Sequence, residues 1–202
     1  MARREDDPWS RRARAEGYPA RSVYKLQELD QRHGLMRAGM SVLDLGAAPG
    51  SWTMYAARKM RPDDGSFVLA VDLQELDQRA QLPGVEALRG DFTEESVVQQ
   101  LTSRGPFNLV LSDAAPNTTG NRVLDTARSE ALCDAARDIA LRVLKPGGSL
   151  VVKLFQGGGV ETWVAGLRPQ FQAVKRARPK AIRSESSEHY VLAIGYAGPD
   201  TQ

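Results

Sequence analysis

The 202-residue chain has one cysteine, Cys133, and only two histidines, His33 and His189. A lone cysteine excludes an internal disulfide, and one thiol with two imidazoles falls short of a structural zinc set, so no metal is expected. Also lacking is any run near the roughly 18 unbroken apolar residues that a membrane helix needs. The first residues, M-A-R-R-E-D-D-P-W, are charged from the third onward and contain no apolar h-region, which predicts a chain without a secretory leader and a cytoplasmic location. What is present is ordinary for a soluble globular protein, with 42% hydrophobic and 26% charged residues, and the length suits one large domain.

Charge is scarce in sum, at +2, but unevenly spread. Residues 1 to 25 carry Arg3, Arg4, Arg11, Arg12, Arg14, Arg21 and Lys25 against four acids, for +3. Residues 168 to 183 carry Arg168, Lys175, Arg176, Arg178, Lys180 and Arg183 and no acid, for +6, which leaves −7 for the remainder. An acidic body with two basic segments suits a polyanion such as RNA, because Lys and Arg facing phosphates supply the sequence-independent part of nucleic-acid affinity. The alternative is that both runs are solvated faces.

Short apolar runs alternate with helical stretches. Strands are predicted at 41 to 45, 66 to 71, 85 to 89, 107 to 111 and 149 to 154, and helices at 51 to 60, 94 to 103 and 125 to 144, the last stopped by Lys145-Pro146-Gly147-Gly148. This alternation predicts an α/β fold with a mostly parallel sheet covered on both faces. Residues 170 to 176 and 189 to 196 read as two more strands with no clear helix between them, an antiparallel C-terminal pair. Residues 1 to 20 show no periodicity and are expected to form a basic arm, followed by a helix from Ser22 to Gln31. One folded body is expected over 21 to 197, with 198 to 202 as a tail.

The first strand ends in Asp44-Leu45-Gly46-Ala47-Ala48-Pro49-Gly50-Ser51-Trp52, which turns directly into a helix. Small residues at a strand's carboxyl end let backbone approach a ligand, and open α/β sheets bind ligands there. The loop is not G-x-G-x-x-G, and two glycines could equally make a structural turn. Asp72 ends the second strand, where it can accept from ribose hydroxyls, and Asp91 follows the third, where it can accept from an adenine amino group. Either acid alone could be a helix cap. Together the strand ends suit an adenosine-containing ligand, and Pro49 with no third glycine to cradle a pyrophosphate favours S-adenosylmethionine over a dinucleotide.

Five blocks carry a resemblance. R-S-V-Y-K-L at 21 to 26, D-L-G-A-A-P-G-S-W at 44 to 52, S-D-A-A-P-N at 112 to 117, V-V-K-L-F-Q-G at 151 to 157 and E-H-Y-V-L-A at 188 to 193 resemble, in order, the signature blocks of the FtsJ/RrmJ ribose 2′-O-methyltransferases. The resemblance runs from about residue 11 to residue 196. It implies that the body over 21 to 197 is a Rossmann-like domain for S-adenosylmethionine-dependent methyl transfer, with an active-site tetrad of Lys25, Asp113, Lys153 and Glu188. It also implies that Gly50, Trp52, Asp72, Asp91 and Asp113 line the methyl-donor site. Ser51 stands where bacterial members often have glycine, and Ala114 where methionine or glycine is common.

The implied roles follow from the chemistry. A ribose hydroxyl is a poor nucleophile at neutral pH, and a lysine can take its proton only while its own amine is neutral, a form that burial and a neighbouring cation favour. Lys153 is then the base or the residue that steers the hydroxyl, and Asp113 orients it. Lys25 is the neighbouring cation or a substrate-holding one, and Glu188 anchors its ammonium. The expected acceptor is a uridine of large-subunit ribosomal RNA, free or in a ribosomal particle, and the expected protein is a monomer. Rival readings are a tRNA or mRNA-cap ribose methyltransferase, a nicotinamide-dependent oxidoreductase on a Rossmann fold, and a non-catalytic RNA-binding module. Among other residues, Cys133, Phe155 and Trp163 read as packing, His189 as a side chain flanking the site, and Trp9 as RNA-facing.

Overall fold

The structure is a computed structural model describing residues 7–61, 65–116, 119–155, 159–184 and 186–199. The first six residues of the expected arm, the last three of the expected tail, and Asn117, Gln156 and Gly157 of the sequence blocks lie outside the described residues. In chain order the elements are α1 (Pro8–Ala15), α2 (Val23–His33), β1 (Ser41–Leu45), α3 (Ser51–Met60), β2 (Phe67–Asp72), a 3-10 turn (Gln78–Ala80), β3 (Val85–Arg89) and α4 (Glu95–Arg104). There follow β4 (Phe107–Ser112), α5 (Arg122–Val143), β5 (Leu144–Phe155), α6 (Val160–Leu167), β6 (Phe171–Ala177) and β7 (Glu188–Tyr196).

The strands form one sheet in the order β3-β2-β1-β4-β5-β7-β6. Strands β1 to β5 are parallel, and β7 runs antiparallel to both of its neighbours, β5 and β6. Alternate residues of each strand face opposite helical layers, as a pleated strand requires. Val42, Val68, Ala70, Leu109, Leu111, Val151, Tyr190 and Leu192 pack with α2 and α3 on one face. Leu43, Leu69, Val71, Val110, Leu150, Val152, Leu154, Val191 and Ala193 pack with α4, α5 and α6 on the other. Both faces being covered is why the central strands read as continuous apolar runs. The chain winds outward through β2 and β3 and then returns to place β4 beside β1, so the strand order reverses between β1 and β4, the position at which such sheets open a crevice at their carboxyl ends.

Three elements depart from the sequence reading. Residues 8 to 15, expected in the aperiodic arm, form α1. Asp7 caps it by accepting from Trp9 N at 3.0 Å and Ser10 N at 3.1 Å, Pro8 opens the first turn, and Ala13 is buried against the body. Such a cap is worth about 1 kcal/mol. Burial raises the Asp7 carboxyl, but the hydrogen bonds from Ser10 and the Arg21 guanidinium, 2.8 Å away, outweigh it and bring it down to about 2. Second, Lys145-Pro146-Gly147-Gly148 does not stand before β5 but lies within it as an irregularity: β4 advances from Phe107 to Leu109 while β5 advances from Leu144 to Ser149. Third, α6 appears before β6, where no separate helix was predicted.

Helix α2 continues past the predicted Gln31 to His33 and stops at Gly34, which takes the left-handed conformation that glycine adopts without strain. Buried Asp30 fixes it to α3, accepting from Met36 N at 3.0 Å and from the Tyr55 hydroxyl at 2.8 Å. Among the described residues no helix is long and apolar enough to cross a membrane.

Candidate active site

A cleft of about 890 Å³ opens at the carboxyl ends of β1 to β4. Its wall runs from Gly46, Ala48 and Pro49 through Asp72 and Asp91 to Asp113 and Ala114, with Arg128 and Leu132 of α5 at the far side. The loops after β1 and β4 touch here. Gly46 has φ of 71°, and a Cβ on it would lie 2.6 Å from the Cβ of Ala114, so no side chain fits between the loops. Asp72 shapes the wall as well as lining it: Oδ2 accepts from Ala48 N at 2.9 Å and Oδ1 from Gln74 N at 2.8 Å. Asp91 uses Oδ1 to accept from both the amide and the hydroxyl of Thr93, at 2.9 and 2.7 Å. Neither acid caps a helix: α4 is entered at Glu94 and the 3-10 turn is capped by Asp77, so both acids brace loops at the edge of a cleft large enough for a nucleoside.

Gly50 and Trp52 are placed behind this wall. Gly50, with φ of 104°, sits against Ala80 of the 3-10 turn. The Trp52 ring points into the body, its Nε1 donating to Ser22 O at 2.9 Å and its ring 5.6 Å from that of Tyr190.

Beside the Asp113 end of the cleft, two pairs of charges gather. Lys153 is 6% exposed, and its Nζ donates to the Asp113 carbonyl at 2.6 Å and lies 3.1 Å from Asp113 Oδ1. The Tyr190 hydroxyl donates to the same Oδ1 at 2.6 Å. Lys25, in the first turn of α2, pairs with Glu188 at 2.5 Å, and its ammonium is 5.9 Å from the Tyr190 ring centre. The sheet register explains the gathering. Lys153 faces Tyr190 and Phe155 faces Glu188 across the β5–β7 pair, so all four side chains share one face. The structure thus brings Lys25, Asp113, Lys153 and Glu188 together. The positive charge of Lys25 is matched by Glu188, so the pair offers Lys153 less uncompensated charge than an isolated cation would.

Burial pushes the Asp113 carboxyl up, but Lys153, then Lys25, and the Tyr190 hydrogen bond outweigh it and hold the carboxyl below its ordinary value. Burial and the neighbouring Asp113 and Glu188 carboxylates push the Tyr190 phenol well above its ordinary value, so it remains a donor to Asp113. Tyr190 was not singled out from the sequence. The available signal was period two, because a strand that presents Glu188 must present Tyr190 on the same side.

Asp44 lies under the loop, fully buried in β1. Its Oδ2 accepts from the Thr53 hydroxyl at 2.6 Å, and its Oδ1 has no hydrogen-bond partner among the described residues. Burial, and then the Asp113 and Asp72 carboxylates, push it up to about 7 against the opposing Thr53 bond. Rising pH therefore ionises Asp44 in the unfolded chain from about 3.8 while the folded chain keeps its proton to about 7, and folding loses stability across that interval. Asp44→Asn should escape this loss. Thermal unfolding of the ligand-free proteins should show a gap that moves in the variant's favour between pH 5 and pH 8, whereas a gap constant with pH would mean Asp44 ionises in the fold as freely as in the unfolded chain.

Other candidates fall elsewhere. Trp9 is half-buried, with its ring 5.2 Å from that of Tyr24, so it packs α1 on α2. Arg176 pairs with Glu161 at 2.6 Å, and Arg178 donates to the carbonyls of Arg183, Ser186 and Glu188, holding the segment that delivers Glu188. His189 points to the opposite face from Glu188, where burial, with Arg176 and Arg178, lowers its pKa. Trp163 donates to Asp134 at 2.9 Å, and Phe155 lies with its ring centre 5.8 Å from Lys153 Nζ, at the site rather than merely in the packing. Among the described residues no group of three or more His, Cys, Asp or Glu is placed to hold a metal ion.

Comparison with known proteins shows the family of the chain. The profile of the FtsJ-like methyltransferase family matches residues 18–196. The chain is 46% identical over 194 residues to the ribosomal RNA large subunit methyltransferase E of Oleidesulfovibrio alaskensis, covering 95% of this chain and 92% of the relative. It is 44% identical over 194 residues to the protein of the same name from Legionella pneumophila, with the same coverage of both. A crystal structure of a ribosomal RNA methyltransferase from Plasmodium falciparum superimposes with a TM-score of 0.77 at 23% identity, over 90% of this chain and 100% of that one. This last likeness is one of fold.

Proposed function

Because the chain belongs to the FtsJ-like methyltransferase family, we propose that it transfers the methyl group of S-adenosylmethionine to a ribose 2′-hydroxyl of RNA, the acceptor being a uridine of large-subunit ribosomal RNA. The observation that carries this reading is Lys153 Nζ held by both the carbonyl and the carboxylate of Asp113 at the rim of an acid-lined cleft. The cleft suits the donor. Asp72 and Asp91 present carboxylates for ribose and adenine donors. When bound, the donor supplies an electrophilic methyl group.

The chain's own residues do the rest. Two of the three N–H directions of the Lys153 ammonium are taken by Asp113, leaving the third for the acceptor oxygen. Lys153 steers the hydroxyl and, in its neutral form, takes its proton as the oxygen–methyl bond forms and the methyl–sulfur bond breaks, the electron pair staying on the sulfur of the departing S-adenosylhomocysteine. Asp113, itself fixed by Tyr190, sets the direction of that amine. Lys25, anchored by Glu188, contributes a cation at the acceptor side.

The test is methylation of deproteinised large-subunit ribosomal RNA with labelled S-adenosylmethionine, followed by alkaline hydrolysis. A 2′-O-methyl group blocks cleavage of the adjoining phosphodiester, so the label should appear in an alkali-resistant dinucleotide beginning with uridine. Label confined to tRNA, when tRNA is supplied in parallel, would move the acceptor, and donor binding without transfer to the free RNAs or to the assembled large subunit would leave an RNA-binding module. A nicotinamide cofactor is disfavoured by a loop with no third glycine for a pyrophosphate.

The basic C-terminal segment supports an RNA partner through the residues it leaves exposed. Arg176 and Arg178 are also on the surface but already have partners, Glu161 and backbone carbonyls, and Lys175, Lys180 and Arg183 are exposed beside them. Neutralising these three to Gln should weaken RNA binding and flatten its salt dependence by up to about 0.9 log units for each phosphate that is no longer neutralised, with donor affinity unchanged. An unaltered salt slope would return the segment to a solvated face. In keeping with this function we place the protein in the cytoplasm, acting as a monomer.

A further inference from the structure

The first turn of α3 does more than close the donor loop. Ser51, its first residue, is 1% exposed, and its hydroxyl contacts both backbone groups of Ala20, accepting from the amide at 2.7 Å and donating to the carbonyl at 3.1 Å. Trp52 donates to Ser22 O at 2.9 Å, and Thr53 donates to Asp44 beneath the loop at 2.6 Å. Further along α3, Arg58 reaches Glu16 O at 3.4 Å and lies over the Tyr18 ring at 4.9 Å. The stretch from Glu16 to Ser22 is therefore laid along α3, and it runs directly into the α2 turn that carries Lys25. The same turn reaches the other charged pair through the Trp52 ring, which packs on Tyr190, the donor to Asp113. Both halves of the Lys25–Glu188 and Lys153–Asp113 arrangement are thus tied to one helical turn, and that turn begins where the cleft's glycine-rich wall ends.

Only a small side chain with a hydroxyl satisfies Ala20 in this way. Alanine at position 51 would leave the half-buried Ala20 amide without its acceptor, and a donor shielded from water is costly to leave unpaired. Two states of the junction follow: α3 docked on Ala20 and Ser22 with Lys25 held on Glu188, and a released one in which Lys25 is free to wander. A ligand in the cleft that presses on Ala48 and Pro49, which lead straight into the first turn of α3, stabilises the docked state, and RNA that contacts Lys25 prefers the same state.

We infer that Ser51 is a positioning residue that couples the donor cleft to the RNA-binding side, so that methyl donor and RNA bind with positive cooperativity. This rests on the proposed function, in which the cleft holds the donor and Lys25 faces the acceptor. Ser51 touches neither ligand; it acts through Ala20 and the path from there to Lys25.

The test measures binding of deproteinised large-subunit ribosomal RNA with and without saturating S-adenosylhomocysteine, in the wild type, Ser51→Ala and Trp52→Phe. In the wild type the nucleoside should tighten RNA binding by about fivefold or more, and RNA should tighten nucleoside binding by the same factor, because coupling is reciprocal. In Ser51→Ala the factor should fall to within about twofold of unity, a change that a general loss of stability does not produce, since it reads the ratio of two affinities of one folded protein. Trp52→Phe keeps a ring against Tyr190 but loses the bond to Ser22, and it should lower the coupling independently if Ser51→Ala fails to fold. Coupling that survives in the folded variants, or a wild type that methylates RNA with no coupling, overturns this inference alone. A wild type that binds no S-adenosylhomocysteine overturns the reading of the cleft and this inference with it.

Discussion

Lys153→Ala is expected to slow methyl transfer by about a thousandfold while changing donor affinity only a few-fold. General acid–base assistance by one positioned side chain contributes about 10² to 10⁴ in rate, and Lys153 is the amine that the structure fixes beside the cleft. The cleft proposed for the donor is lined by Asp72, Asp91 and Asp113 and not by Lys153, so removing the amine is expected to leave what Asp72 and Asp91 do undisturbed. Truncation also leaves the Asp113 carboxylate, 18% exposed, with Tyr190 but without its cation. Lys153→Met, which keeps most of the buried stem, therefore belongs beside the alanine variant. Single-turnover rates and equilibrium donor binding, measured on protein shown to be folded by thermal unfolding, decide the matter. Equal loss of donor binding and rate would show that Lys153 serves the cleft rather than the acceptor.

Asp72→Ala should reverse that pattern, raising the donor's dissociation constant by about 10- to 100-fold. A hydrogen bond to a charged acceptor is worth about 1.5 to 3 kcal/mol, and about 1.4 kcal/mol is tenfold in affinity. Part of the effect would come from the wall itself, because Asp72 holds the Ala48 amide. Asp72→Asn separates the two contributions. Its carbonyl oxygen can still accept from Ala48, so the loop stays in place while the charged acceptor for ribose hydroxyls is gone. Titration calorimetry with S-adenosylmethionine should place the asparagine variant between wild type and alanine. An asparagine variant as tight as the wild type would assign Asp72 to loop support alone.

The parts of the fold that were legible are those where one local rule decides. Strand β1 and helix α3 begin and end where they were predicted because an apolar run stops at Gly46 and a helix starts at Gly50, whose left-handed backbone few other residues adopt. Strand β3 also kept its predicted bounds. Helix α1 was missed because its apolar content is low. Its stability comes from Asp7, Pro8 and the burial of Ala13, and the Asp-Pro pair was the sign that went unused. Helix α6 buries Val160, Val164 and Leu167, a spacing of four and three that its short length obscured.

The four charged residues of the site could be named from the sequence blocks, but not their pairing. That Lys25 meets Glu188 and Lys153 meets Asp113 depends on strand register and on α2 packing over β7, which join residues far apart in the chain. The basic segment shows the converse. Charge counting treats Arg176 and Arg178 like Lys180, and only the fold shows one pairing with Glu161 and the other gathering the carbonyls ahead of β7.

Cys133 gives strand β5 an observable of its own. Its thiol is 4% exposed and donates to the carbonyl of Lys153 at 3.1 Å, and burial, followed by the nearby Asp134 carboxylate, pushes it up to about 12. Thiol reagents attack the thiolate, so the closed protein is almost silent toward them. A labelled molecule must first have parted α5 from β5, and since the chain has no other cysteine, every adduct records that one event. Disulfide-exchange colorimetry therefore becomes a clock for the backing of Lys153, running without RNA, donor or turnover.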